Sequence, residues 1–346
     1  MSLDSYVTLS HSGAKILIYG ASGYTGKLIS ARAQQAGLDF EIAGRSEASV
    51  SALARSLGVS YRIFAVEDAQ ALRSALKGVT AILNCAGPFA VTARPIMEAC
   101  IDSGVHYLDI TAEFKVYELA QSLSKKAAAA SVMLLPGVGW DVVPSDCLAV
   151  YTASKVDKPR RLRIALEVAG AMSRGSATSA GEILSVGLLV RSEGKLVAAP
   201  NADTSVFDFG EGNVECARLS FGDLVTAWAS TNIPNIEMFV HVKGDAFPEG
   251  DLSLLPDGPT PEERDANRAK VVAEVTGEDG SIARARIETV NGYSYTALSS
   301  VEAARRVHAG HFLPGFQTPA SAFGAEFAAS IPDTRIIDLD PIVPSR

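Results

Sequence analysis

The chain has 346 residues, of which 47% are hydrophobic and 20% are charged. Its 31 basic and 39 acidic side chains leave a formal net charge of −8. This balance argues against nucleic acid or an anionic membrane as the main partner, because either would require a basic surface that neutralises phosphate groups. The length corresponds to about two domains of typical size.

The four cysteines are far apart and contain no Cys-x-x-Cys pair. We therefore expect them to be small buried hydrophobic residues rather than a disulfide framework or a zinc site. The first 13 residues lack the charged and apolar regions of a signal peptide. The most apolar stretch, 183–190, is too short to cross a bilayer. These features predict a soluble, cytoplasmic protein without a membrane span.

Residues 14–142 alternate short apolar runs with helical stretches, which is typical of a parallel α/β sheet. The predicted strands of this half are 14–19, 40–43, 61–66, 79–85, 106–110 and 132–136. Its predicted helices are 26–35, 48–57, 95–103 and 117–130. The pattern predicts an α/β fold in which a Rossmann-type, doubly wound parallel sheet forms the first domain.

After residue 142 the pattern changes to strands separated by Gly, Asn and Asp turns. The predicted strands are 162–168, 196–209, 218–221, 237–243 and 283–289. The predicted helices are 178–190, 261–276 and 297–309, and residues 247–260 are expected to form a surface loop. This half is therefore predicted to be an α+β domain with a largely antiparallel sheet.

The motif GASGYTG lies between the first predicted strand and the first helix. Glycines at this spacing allow a tight turn, a close approach of the backbone to a pyrophosphate and tight packing of helix on strand. The helix N-terminus supplies N–H groups and the positive end of its dipole to the phosphates. The alternative is a glycine-rich turn without a ligand. The residues predicted to hold a dinucleotide here are Gly20, Ser22, Gly23, Tyr24, Thr25 and Gly26.

The choice of dinucleotide is read about 20 residues further on, at the end of the second strand. An NAD-binding domain would carry Asp or Glu at this position, whereas this chain has Gly44-Arg45-Ser46. Arg45 with the neighbouring Ser46 hydroxyl suits a 2′-phosphate, which accepts charge-assisted hydrogen bonds. The alternative is a solvated loop arginine. We therefore predict NADP(H) as the cofactor.

A second turn of small residues follows the fourth predicted strand, on the carboxyl edge of the sheet where ligands bind. Small residues here allow the backbone to pass close to the ribose next to the nicotinamide, and an aromatic ring can pack on a base. A purely structural turn is the alternative. The residues predicted to contact the cofactor are Ala86, Gly87, Pro88 and Phe89.

Four segments in this order resemble the saccharopine dehydrogenase-like (saccharopine reductase-like) oxidoreductases, including the trans-acting enoyl reductase branch. They are 20–26, 86–89, 107–113 and 137–146, and the resemblance extends from residue 15 to about residue 332. It implies hydride transfer at a C=N or an activated C=C bond of a small molecule that it does not identify.

The resemblance also implies a domain arrangement and a homodimer. An NADP-binding Rossmann domain would span residues 14–142, and a substrate and dimerisation domain would span residues 143–317. A C-terminal helix at about 318–332 would pack back on the first domain.

The segment 137–146 leaves the sixth predicted strand beside the expected cofactor cleft. Trp140 is a candidate shelf for the nicotinamide, and Asp141 is a candidate for orienting its carboxamide or a substrate amine. The alternative is that Asp141 and Asp146 cap the helix that begins near Pro144.

Three other segments carry polar residues that could act in catalysis. Glu113 and Asp109 follow the fifth strand, where a general acid could lie. Arg174 either anchors a substrate carboxylate or crosses a dimer interface. His106 is predicted to be structural. No metal site is predicted, because His308-Ala-Gly-His311 lacks a third ligand.

Tyr151 and Lys155 have the spacing of the catalytic pair of short-chain dehydrogenases, in which Lys lowers the pKa of Tyr. Pro159 follows closely and ends the helix, whereas those enzymes carry the pair on a long helix. A carbonyl reductase using this pair is nevertheless one alternative. A non-catalytic NADP(H)-binding protein is another, because no single candidate catalytic residue is specific.

Overall fold

The computed structural model describes residues 13–243 and 255–339, and the chain divides into two compact units. The first unit contains the chain up to Trp140 together with Tyr293–Gln317. The second contains Asp141–Gly292 and the chain from Thr318 onward. The segment that returns to the first unit is therefore 293–317, and not the predicted segment 318–332.

The first unit is built on a parallel sheet of seven strands. Numbered in chain order, they are β1 (Lys15–Tyr19), β2 (Phe40–Gly44), β3 (Tyr61–Ile63), β4 (Val79–Asn84), β5 (His106–Asp109), β6 (Met133–Leu135) and β15 (Gly315–Phe316). Their order is β15-β6-β5-β4-β1-β2-β3, so the chain reverses direction across the sheet between β1 and β4. Ligands of doubly wound sheets bind at the carboxyl ends of the strands at this switch point.

Helices connect these strands and cover their buried apolar residues. Ile16, Leu17 and Ile18 of β1 are all completely buried, which is typical of a strand covered on both faces. The helices of this unit are α1 (Tyr24–Gln35), α2 (Glu47–Leu57), α3 (Ala69–Ala75), α4 (Phe89–Ser103), α5 (Phe114–Ala129) and, apart from its first residue, α10 (Gly292–His308). The predicted Rossmann-type sheet is confirmed.

The second unit contains a mixed sheet of nine strands. They are β7 (Pro159–Ala169), β8 (Leu189–Ser192), β9 (Lys195–Ala198), β10 (Thr204–Asp208), β11 (Asn213–Arg218), β12 (Asn235–Lys243), β13 (Ala269–Gly277), β14 (Ile282–Thr289) and β16 (Arg335–Leu339). Only β7 and β12 pair in parallel, and the other pairs are antiparallel. The largely antiparallel sheet predicted for this half is confirmed.

The helices of the second unit are short. They are α6 (Val143–Ala153), α7 (Arg174–Ser185), α8 (Asp223–Thr231), α9 (Pro261–Asp265), α11 (Pro319–Phe323) and a 3-10 helix (Ala325–Ser330). Helix α6 packs on β13 and β14 and also contacts α8 and α11. Helix α11 and the 3-10 helix lie within residues 318–332, where the sequence predicts a single C-terminal helix.

Four predicted elements of the second unit differ from the structure, and one is the strand predicted at 218–221, which overlaps β11 only at Arg218. The helix predicted at 261–276 ends at Asp265, and strand β13 follows, because Val271, Val272 and Val275 are β-branched and buried in the middle of the sheet. The strand predicted at 196–209 is divided between β9 and β10. The helix predicted at 178–190 is α7, followed by β8. Most of the predicted loop 247–260 lies outside the described residues.

Cys100, Cys147 and Cys216 are buried, Cys85 is partly buried, and all four are free thiols. Within residues 13–243 and 255–339, no helix combines the length and the apolar character needed to cross a membrane.

Candidate functional site

The glycine turn between β1 and α1 is shaped by two close approaches. Gly20 has a φ of +76°, and a Cβ there would lie 2.7 Å from the backbone nitrogen of Ala86. A Cβ on Gly26 would collide with the carbonyl oxygen of Gly20. Only glycine therefore allows the turn to lie against both the loop after β4 and the first turn of α1.

The capping residue of α1 makes no side-chain hydrogen bond to the N-terminus of the helix. Its capping residue is Gly23, which has no side chain to accept from the first N–H groups, and its first turn contains no acidic residue. In contrast, the N-termini of α2 and α3 are capped by the side chains of Ser46 and Asp68. Because the first N–H groups of a helix need acceptors from outside it, α1 is suited to bind an anion. The glycine turn and this helix end fit the pyrophosphate of a dinucleotide.

Arg45 directly follows β2 and lies next to the glycine turn. A Cβ on the preceding Gly44 would lie 4.0 Å from Oγ of Ser22. The side chain of Arg45 is exposed and forms no ion pair with another described residue. Ser46 caps α2 and accepts from the amide of Ser49 at 3.4 Å. These groups fit a phosphate on the ribose of the bound nucleotide.

The loop after β4 is held by buried polar side chains. Asn84 donates to the Oγ1 of Thr92 at 3.0 Å and accepts from the amide of Ala86 at 3.0 Å. Thr92 in turn donates to the carbonyl of Ala86 at 2.7 Å. The peptide between Gly87 and Pro88 is cis. Both backbone polar groups of Ala86 are therefore fixed from the interior of the unit.

Glu113 fixes the other end of this loop. Its two carboxylate oxygens accept from the amides of Phe89 and Ala90, at 2.9 Å and 2.6 Å. These are the first residues of α4, so Glu113 caps a helix that is distant in sequence. The side chain is 3% exposed. The structure thus gives this predicted general acid a contact that positions the loop.

Asp109 lies at the carboxyl end of β5 and is completely buried. Its Oδ2 accepts from the hydroxyl of Tyr107 at 2.7 Å, and its Oδ1 accepts from the amides of Thr111 and Gly137 at 3.0 Å and 2.8 Å. Burial raises the pKa of Asp109 to about 7, although the three donors oppose that rise. Tyr107 also accepts from Asn84 at 3.3 Å, which joins Asp109 to the loop after β4.

Trp140 closes the first unit and is buried. Its amide donates to the Oγ1 of Thr296 at 3.0 Å, and its ring meets the ring of Tyr295 edge to face, with 6.0 Å between the centroids. Asp141 is the next residue in the chain and is half-buried. Burial raises the pKa of Asp141 to about 6.

The helix-capping interpretation of Asp141 and Asp146 is wrong. The capping residue of α6 is Val142, which makes no side-chain cap hydrogen bond, and Asp146 lies inside the first turn. Asp146 instead accepts from the Oγ of Ser230 at 2.5 Å and from the amide of Ala320 at 2.8 Å. It therefore caps α11 rather than its own helix.

The remaining candidates lie on the second unit. Arg174 is exposed and donates to the carbonyl of Leu255 at 3.0 Å and to Asp257 at 3.1 Å. Tyr151 and Lys155 both bind Asp338, at 3.1 Å and 2.6 Å. The described residues contain no group of His, Cys, Asp and Glu side chains arranged to hold a metal ion.

The sequence analysis did not identify Asn84, Thr92 and Tyr107, whose side chains connect the candidate loops through the interior of the first unit. Tyr107 and Asp109 alternate on β5, whose four residues are all buried. Two polar residues at the buried end of such a strand could have indicated a hydrogen-bonded network. His106 accepts from the amide of Met133 at 3.1 Å and contacts Phe312, which agrees with its predicted structural role.

Comparison with known proteins supports this description of the first unit. The family model "Saccharopine dehydrogenase NADP binding domain" matches residues 16–135. A human saccharopine dehydrogenase-like oxidoreductase is 29% identical over 162 residues, which cover 41% of this chain and 38% of the relative. A proposed trans-acting enoyl reductase of Mycobacterium tuberculosis is 32% identical over 184 residues, covering 49% of this chain and 44% of the relative. The matches thus span about two fifths of the relatives' length.

The fold of the chain as a whole is also found in a solved structure. Apo saccharopine dehydrogenase (L-Glu forming) from Saccharomyces cerevisiae superposes with a TM-score of 0.65 over 95% of this chain and 100% of that chain, at 15% identity. At this identity the likeness shows the fold alone. The family match confirms the resemblance noted from the sequence for the first unit, because residues 16–135 match the saccharopine dehydrogenase NADP-binding domain.

Proposed function

We propose that the protein transfers a hydride between NADP(H) and a C=N or activated C=C bond of a small molecule. One observation carries the cofactor part of this proposal. The N-terminus of α1, whose capping residue Gly23 has no side chain, lies at the glycine turn, and the exposed Arg45 follows the neighbouring strand β2. An anion-binding helix end next to a free guanidinium suits a dinucleotide with an additional phosphate.

Each part of the first unit has a proposed task toward the nucleotide. Residues 20–26 hold the pyrophosphate, Arg45 and Ser46 hold the 2′-phosphate, and residues 86–89 lie along the nicotinamide side. The bound nucleotide supplies or accepts the hydride. Glu113 acts through the backbone of Phe89 and Ala90, so we assign it a positioning role in place of general acid.

The reacting bond is proposed from the chemistry that the names of two relatives indicate. The yeast structural relative is a saccharopine dehydrogenase, and the mycobacterial relative is named for enoyl reduction. These suggest a C=N and an activated C=C substrate, respectively. Trp140 is proposed to support the nicotinamide, and Asp141 to orient its carboxamide or a substrate amine. Arg174 is proposed to bind a substrate carboxylate. A homodimer is proposed on the resemblance alone.

The proposal is tested first by fluorescence titration of the protein with NADPH and NADH. Replacing Arg45 by Ala should weaken NADPH binding by about 1.5–3 kcal/mol and leave NADH binding nearly unchanged, because a charge-assisted phosphate contact is lost. Arg55→Ala is the matched control, because Arg55 lies at the other end of α2 and donates to the carbonyl of Ser51. Its NADPH affinity should not change.

Failure of both nucleotides to bind would contradict the proposal, and so would equal losses for NADPH and NADH in Arg45→Ala. Once NADPH binding is established, its oxidation is followed at 340 nm with cyclic imines and enoyl thioesters. Turnover with either class supports the oxidoreductase function and identifies the bond. Tight NADPH binding without turnover of any imine or enoyl compound would favour a non-catalytic binding protein.

A further inference from the structure

A buried polar chain links two loops of the first unit. It begins at Ala86, whose amide and carbonyl are held by Asn84 and Thr92. Asn84 donates to Tyr107 at 3.3 Å, and Tyr107 donates to Asp109 at 2.7 Å. These four side chains are all buried in the interior of the unit.

This series of hydrogen bonds ends on the loop that leads to Trp140. Asp109 accepts from the amide of Gly137 at 2.8 Å through its side chain, and its carbonyl accepts from the amide of Val138 at 2.8 Å. A Cβ on Gly137 would lie 2.5 Å from the hydroxyl of Tyr117, so this loop has no room to move toward α5. One carboxylate thus connects the loop at residues 86–89 with the loop at residues 137–140.

We infer that Asp109 is a positioning residue that fixes both loops together only while its carboxylate is ionised, so that a single proton controls their arrangement. As long as the carboxylate is ionised, its oxygens accept from Tyr107, Thr111 and Gly137. A proton on Oδ2 must be donated to Tyr107, whose oxygen already accepts from Asn84. The hydroxyl hydrogen of Tyr107 then loses its acceptor inside the unit, and a buried unpaired donor is costly.

The surroundings of Asp109 set where this proton binds. Burial raises the pKa of Asp109 to about 7, and the nearby Glu113 raises it as well, whereas the donors Thr111, Tyr107 and Gly137 lower it. Cys85 directly follows β4, and the pKa of its thiol is raised by burial and by the Asp109 carboxylate. No cation is among the described groups that shift the pKa of Asp109. Asp109 is thus poised to titrate near neutral pH.

Trp140 provides a readout that does not require a nucleotide. The protein has two tryptophans, so in the Trp228→Phe background all tryptophan emission comes from Trp140, and Asp141→Asn in the same background removes the titration of the neighbouring carboxyl group. We expect this emission to change with pH in one step with a midpoint near 7. Asp109→Asn should hold the emission of the low-pH form at every pH, because an amide presents the same donor and acceptor as the protonated acid.

Two further variants distinguish this role from simple structural support. Tyr107→Phe should move the midpoint to higher pH, because the hydroxyl of Tyr107 lowers the pKa of Asp109. Asp102→Asn changes an exposed carboxylate of α4 and should leave the midpoint in place. Tyr107→Phe also keeps the test open if Asp109→Asn does not fold. A step that persists in Asp109→Asn would overturn the inference, and so would a downward shift in Tyr107→Phe.

The inference rests on the proposed function only for its consequence on the nucleotide. In the unmodified protein, the dissociation constant of NADPH should rise about two- to tenfold below the midpoint, and Asp109→Asn should show the weaker value throughout. An emission step that behaves as expected in a protein that binds NADPH at no pH refutes the proposed function and leaves the inference standing. NADPH binding without an emission step refutes the inference alone.

Discussion

Asp109 of the first unit and Asp223 of the second are both completely buried carboxyl groups, but their surroundings differ. Asp109 accepts three hydrogen bonds and connects two loops. Neither oxygen of Asp223 has a partner in hydrogen-bonding geometry among the described residues. Burial raises the pKa of Asp223 well above its ordinary value, and Asp146 and Asp141 raise it further, while the nearby Ser145 lowers it.

This difference shows that burial alone does not define the role of a carboxyl group. A buried carboxylate with enough donors is a fixed point that organises the backbone around it. A buried carboxyl group without donors is driven to its neutral form, because ionisation in a low dielectric is costly. Asp146 lies in the same unit as Asp223 but resembles Asp109, since Ser230 and Ala320 donate to it. These three residues allow the comparison to be tested within one protein.

The largest effect on stability is expected for Asp146→Ala. The change removes the acceptor of the Ala320 amide and one partner of the Ser230 hydroxyl, and it leaves a cavity between α6, α8 and α11. The buried amide then lacks a partner, and together with the cavity this should lower the free energy of unfolding by about 2–4 kcal/mol. Urea denaturation measures the loss, and Asp157→Ala, at an exposed position of the same unit, is the control. A loss as small as that of the control would show that donors do not make a buried carboxyl group structural.

Asp223→Asn should have the opposite sign. Because the folded protein raises the pKa of Asp223 above its ordinary value of 3.8, the stability that this residue contributes in acid is lost as the pH rises toward the raised pKa. Asn cannot ionise, so the variant avoids this loss. Its Tm should equal that of the unmodified protein near pH 4 and exceed it increasingly as the pH rises to 8.

Thermal denaturation at several pH values measures this difference, with Asp203→Asn at an exposed site as the control. A variant that is less stable than the unmodified protein at pH 8 would mean that Asp223 has a partner when ionised. Asp223 would then belong with Asp109 and Asp146, and the contrast drawn above would disappear.

The sequence was sufficient to predict the turns and strand ends at which the candidate site residues lie, because those signals are local. The glycine turn is contiguous, and Arg45 follows the second strand at the distance that a dinucleotide-binding unit requires. The order of β1, β4 and β5 brings Asn84 beside Asp109, since these residues are paired in the register of β4 with β5. That pairing is a property of the sheet, and no spacing along the chain encodes it.

The second unit shows the same limit. Thr260 and Glu263 form a capping box that correctly indicates the start of a helix, and the charged residues after Pro261 favour its continuation. The helix nevertheless ends at Asp265, because the sheet captures the next segment as β13 between β7 and β14. Asp146 and Asp223 are 77 positions apart, so the effect of Asp146 on the pKa of Asp223 emerges only from the packing of α6 against α8.

The smallest effect is expected where a carboxylate has partners but is exposed. Asp338 binds both Tyr151 and Lys155, and Lys155 lowers the pKa of Asp338, but the Asp338 side chain is 56% exposed. Solvent screens such pairs, so Tyr151→Phe and Lys155→Met should each shift Tm by less than about 2 °C. NADPH binding, and turnover once a substrate is known, should also remain close to those of the unmodified protein, because Asp338 already engages both side chains. Near-complete loss of turnover in Tyr151→Phe, with NADPH binding retained, would instead establish the pair as the proton donor of a short-chain-dehydrogenase-type carbonyl reductase.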